Sequence, residues 1–90
     1  MSYCQITRTP DMTLAEYEEV QRALGSEPLA GQLVHLVGVV DGSLVIVDEW
    51  ESRADADRFA AERLFPAFER AGIRPEATTE VTAFETAVRV

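Results

Sequence analysis

The chain has 90 residues, 47% hydrophobic and 27% charged, and a net charge of −8 from sixteen acidic and eight basic side chains. That length holds one core, so residues 1–90 are expected to form a single domain, and the chain is too apolar to be disordered. The acidity argues against nucleic-acid binding and against attraction to anionic membranes, and the basic residues, all arginine, form no stripe.

Cys4 is the only cysteine, which excludes an intrachain disulfide and a paired-cysteine metal site. The apolar runs Leu33–Val40 and Leu44–Val47 are strand-length, too short to span a bilayer. No basic segment leads into an apolar signal region, so the expected location is the cytoplasm.

In chain order, Ser2–Thr9 alternates and ends at Pro10-Asp11, which predicts a strand and a turn. Thr13-Leu14-Ala15-Glu16 is a capping box, with Met12 and Tyr17 placed as a hydrophobic staple. Tyr17, Val20 and Leu24 follow at helical spacing and Gly25 supplies a stop, predicting a helix over Thr13–Leu24. Gly31–Val40 and Ser43–Trp50 are β-rich runs separated by Asp41-Gly42, a pair suited to the two positive φ angles of a type I′ hairpin turn. Ser52 is an N-cap with Asp55 at its third helical position. The stripe Phe59, Ala60, Leu64, Ala67, Phe68 and Ala71 continues the second helix to Gly72, with a kink expected near Phe65 because Pro66 removes an amide donor. After an Ile73–Pro75 linker, Thr78–Val90 reads as a last strand.

The order βαββαβ with right-handed crossovers predicts an α+β ferredoxin-like fold: a four-stranded antiparallel sheet with both helices on one face. The bare face needs a cover, and in so short a chain a second copy is the natural one. A two-residue turn sets Val37 opposite Ile46, His35 opposite Asp48 and Leu33 opposite Trp50, all on one face. Val34, Leu36, Val45 and Val47 take the other face. This second set, wholly aliphatic, is expected to pack under the helices. The first set, with Tyr3, Gln5 and Thr7 beside it, is expected to line a ligand pocket or dimer seam on the open side; Cys4 and Ile6 are expected to face the helices.

His35 is the only histidine, and a carboxylate opposite it fixes one tautomer, as a general base requires. The pair serves equally to satisfy itself in a half-buried seam. Trp50 offers an apolar wall for an aromatic ligand, or an interface anchor. Tyr3, Gln5, Leu33, Val37 and Ile46 complete the expected substrate-binding set. Arg63, near the kink, is a solvated helix charge or a cation at the pocket mouth. Metal binding is not expected, since one histidine and one carboxylate are too few ligands. No glycine-rich phosphate loop or nucleophile elbow is present.

The hairpin Leu33-Val34-His35-Leu36-Val37-Gly38, the stretch Val47-Asp48-Glu49-Trp50-Glu51-Ser52 and the helix Phe59-Ala60-Ala61-Glu62-Arg63-Leu64-Phe65-Pro66-Ala67 resemble small bacterial members of the dimeric α/β-barrel superfamily, which includes antibiotic-biosynthesis monooxygenases. The resemblance implies a homodimer whose sheets pack face to face, with a pocket in each subunit. It implies a cofactor-independent enzyme of monooxygenase, cyclase or isomerase type acting on a lipophilic aromatic or polyketide-like substrate. His35 and Asp48 would be its acid/base pair, Trp50 resembling the pocket tryptophan of such members. The alternative is a non-catalytic dimeric binding or accessory protein using the same cavity. The helix-borne histidine of the haem-degrading branch has no counterpart, so no cofactor is expected.

Overall fold

Strand β1 (Tyr3–Thr9) runs through the centre of a sheet whose spatial order is β2-β3-β1-β4. The computed structural model describes residues 2–74 and 78–90. After β1 come α1 (Leu14–Leu24), β2 (Gln32–Val40) and β3 (Ser43–Trp50). A long helix follows in three parts: α2 (Arg53–Phe59), a π-helical turn (Ala60–Leu64) and α3 (Phe65–Ala71), and β4 (Glu80–Glu85) closes the sheet. All three strand pairings are antiparallel, as expected for a ferredoxin-like βαββαβ chain.

Local chemistry sets the element ends. The Thr13 hydroxyl accepts from the Glu16 amide at 3.1 Å and the Glu16 carboxylate accepts from the Thr13 amide at 3.1 Å, satisfying two amides that a helix start leaves orphaned. Ser52 caps α2 by accepting from the Asp55 amide at 3.2 Å. Asp41 and Gly42 take φ of 49° and 78°, the turn that puts Val40 opposite Ser43 and His35 opposite Asp48. The irregularity near Pro66 lies one turn earlier than expected. Phe65 donates to the Ala60 carbonyl across a widened π turn, and Pro66 opens α3 at a position where its missing amide is tolerated.

Two strand expectations change. Leu33 is not opposite Trp50: a bulge between Gln32 and Val34 leaves Leu33 unpaired and exposed, and sets Gln32 against Trp50. The last strand ends at Glu85 rather than Val90, because among the described residues it pairs with β1 alone and the ladder finishes at Tyr3. Pro75, the end of the expected linker, lies outside the described residues.

The face assignment is reversed. Val20 and Leu24 of α1 and Ala67 of α3 pack with Leu44, Ile46 and Val37, so the helices cover the face that carries His35 and Asp48. The aliphatic set lies on the bare face, with Leu36 61%, Ile6 38% and Phe84 48% exposed. Cys4, paired across β1 with Glu49 and Phe84, is on that bare face too. Apolarity shows that a face is to be buried without saying by what.

Candidate functional site

Because the mixed face lies beneath the helices, its polar residues meet α1 rather than solvent. The helical stripe that buries Val20 and Leu24 turns the Tyr17 ring onto β2, where its hydroxyl lies 2.6 Å from His35 Nε2. On the other side of the ring, Nδ1 lies 2.5 Å from Asp48 Oδ1. The β2 bulge brings Gln32 onto the same face, and its amide donates to Asp48 Oδ1 at 3.2 Å. Bulges re-aim side chains in this way beside functional sites.

Proton positions follow from the partners. An ionised carboxylate only accepts, so Nδ1 carries a hydrogen. In the neutral ring Nε2 then accepts, and the Tyr17 hydroxyl donates to it. Burial, and secondarily the charge of Asp48, raise the Tyr17 pKa above its ordinary value of 10.0. The phenol therefore stays protonated at neutral pH. Both imidazole nitrogens are engaged, which leaves the Tyr17 oxygen as the terminus of the chain.

Tyr17, His35, Asp48 and Gln32 line a cavity of about 350 Å³ between sheet and helices. Its walls are largely apolar, with Leu24 and Leu29 on one side and Phe59, Leu64 and Phe68 from the long helix on the other. The π turn contributes Ala60 and Leu64, so the irregular helix is part of the roof. Among the described residues no three potential metal ligands gather, and no helix is long and apolar enough to cross a membrane.

The expected site residues divide. His35 and Asp48 come together, and Gln5, Ile46 and Trp50 line the same cavity. Trp50 is only 1% exposed, its ring tilted against Phe59 at a centroid distance of 5.0 Å and its indole N–H without a partner among the described residues. It supports the wall more than it offers a surface. Tyr3 packs behind it, Val37 joins the apolar cluster beneath α1, and Leu33 lies away on its bulge. Arg63 donates to the Leu24 carbonyl at 3.3 Å, capping the end of α1.

No family model matches the chain, and no curated protein matches it. Solved structures do. Rv0793 from Mycobacterium tuberculosis aligns over 99% of this chain and 98% of its own, at TM-score 0.71 and 17% identity. SnoaB, a cofactor-independent oxygenase from Streptomyces nogalater, aligns over 99% and 96%, at TM-score 0.65 and 20% identity. The haem-degrading protein Rv3592 from Mycobacterium tuberculosis aligns over 100% and 96%, at TM-score 0.58 and 23% identity. The chain has the fold of the antibiotic-biosynthesis-monooxygenase-like proteins. In this fold Tyr17 and Gln32 join the imidazole and carboxylate that the hairpin register sets opposite each other. For Tyr17 the signal was there: a staple tyrosine on the buried stripe of an amphipathic helix needs a polar partner for its hydroxyl. For Gln32 there was none, since nothing in the residues announces the bulge.

Proposed function

We propose that the chain is a cofactor-independent enzyme that moves a proton on a lipophilic, aromatic or polyketide-like small molecule, in a reaction of monooxygenase, cyclase or isomerase type. The observation that carries this is the hydrogen-bonded chain Tyr17–His35–Asp48 set into the wall of an apolar cavity. The substrate's acidic C–H or O–H gives its proton to the Tyr17 oxygen as the tyrosine proton passes to His35 Nε2. Asp48 holds the resulting imidazolium, and Gln32 keeps the carboxylate in place. A neutral phenol thus acts as a base without ever being free phenolate, which its raised pKa would oppose. The shared fold with a cofactor-independent oxygenase supports the same class of chemistry.

The direct test is turnover of Tyr17→Phe and His35→Ala on the true substrate. Each should lower kcat by roughly 10²–10⁴ while the far-ultraviolet spectrum is kept. Full activity in either variant would sink the relay.

A second reading, a non-catalytic binding or accessory protein, is favoured by one feature: the polar chain is satisfied within the protein and calls for no ligand group. The open cavity at His35 favours the enzyme. In either case we propose a homodimer, with a second copy covering Ile6, Leu36, Val45, Val47 and Phe84 on the bare face of the sheet. An apolar patch of this kind marks an interaction surface.

A further inference from the structure

We propose that the cavity admits uncharged molecules and excludes anions, so that the substrate is a neutral ketone, quinone or phenol rather than a carboxylate, a phosphate or a nucleotide-linked thioester. This names the substrate class for the acid/base reading and in that sense rests on it. The charge selection itself rests on the lining.

Among the described residues the lining holds two carboxylates, Asp48 and Asp57, and no arginine. The chain has no lysine. Three arginines pair with Glu19, Asp55 and Glu49 away from the lining, and two donate to the last carbonyls of α1. Arg8 bonds Ser43 on the bare face, and Arg74 is exposed. The pair Arg53 and Asp57 stands at the rim with both side chains largely in water, 71% and 66% exposed. Asp48, in contrast, is interior, its side chain 13% exposed.

An anion entering this space gives up its hydration with no cation to replace it and meets the field of Asp48. That field already resists negative charge at the neighbouring phenol. A neutral ligand meets no such penalty, and Gln5, Thr7 and the Tyr17 oxygen offer uncharged hydrogen-bonding groups for a carbonyl or hydroxyl. The relay suits the same ligand. As the substrate becomes negative, His35 becomes positive, so charge appears only as a pair inside the cavity.

The test is equilibrium dialysis of the intact chain at neutral pH against two probes of nearly equal shape, methyl β-naphthyl ketone and β-naphthoate. The ketone should bind at least about tenfold tighter, equivalent to about 1.4 kcal/mol. Ala60→Phe, which fills the roof, and Thr79→Phe, which fills the space from the β4 side, should each weaken the ketone. Equal or tighter binding of naphthoate overturns the proposal, as does retention of neither probe. Ketone binding unchanged in whichever filled variants fold also overturns it, by placing the ligand elsewhere. Dialysis involves no turnover, so the relay and the charge selection fail separately: active Tyr17→Phe protein ends the first, an inverted probe ratio the second.

Discussion

The two faces of this sheet are built for different partners. The helix-side face carries Leu44 and Ile46 beside Asp48 and His35, and the helices that cover it leave a cavity over the polar residues. The opposite face is more uniformly aliphatic at its centre, and among the described residues no element covers it. A uniformly apolar surface suits close contact with a second apolar surface, where any unpaired polar group would be costly. A mixed surface tolerates a void, because its polar groups pair with one another and a ligand can complete the packing. The face with the greater aliphatic content is therefore not the core.

Four measurements break or sharpen that contrast. The largest effect is expected on the bare face: Leu36→Asp puts an unpaired carboxylate into the proposed seam and should leave only monomer by sedimentation at micromolar concentration. A dimer that survives it is assembled elsewhere. Next, Leu44→Ala, at a helix-side residue 1% exposed, should cost about 2–5 kcal/mol in chemical denaturation whatever the protein concentration. The cost of Leu36→Ala should depend on concentration, because it acts through association.

A smaller effect concerns Glu49 at one end of the bare face. Its carboxylate accepts from the Ser2 hydroxyl at 2.7 Å and from Arg89 Nε at 3.0 Å on both oxygens, tying residues after β4 back across β1. The Ser2 hydrogen bond, then Arg89, hold its carboxyl below the usual value of 4.5. A group whose folded pKa is lowered stabilises above its unfolded pKa and loses that contribution as pH falls through the folded value. Thermal unfolding of wild type and Glu49→Gln should therefore differ at pH 6, and the gap should narrow below pH 4.5 and close only once the pH has fallen through the folded value. A gap that persists in acid would show that the clasp works through shape rather than charge. The smallest expected effect is none at all: haemin added to the protein should give no sharp Soret shift, since both His35 nitrogens are already bonded. A sharp shift would mean that the imidazole leaves Tyr17 or Asp48.

Much of this was legible in the residues because it is encoded over a few positions. The box at Thr13–Glu16, the cap at Ser52 and the Asp41-Gly42 turn each specify their own geometry, and the turn sets the pairing of His35 with Asp48, each six residues from it. What could not be read depended on distant partners. Tyr17 and His35 are 18 residues apart and meet only because α1 crosses β2 on one side of the sheet. Side-chain alternation says which residues share a face, not which of the two faces the helices choose, and here they choose the mixed one. The bulge at Leu33 breaks the two-residue count itself. Pro66 announced an irregular helix, but its relief one turn upstream depends on how Ala60 and Leu64 fit over the sheet.

The tilted contact of Trp50 with Phe59 has a practical corollary. The chain contains one tryptophan, held against a ring of the cavity wall at 5.0 Å. Its fluorescence on red-edge excitation arises from a single location, so loss of the fold and arrival of a guest can both be followed optically in unlabelled protein.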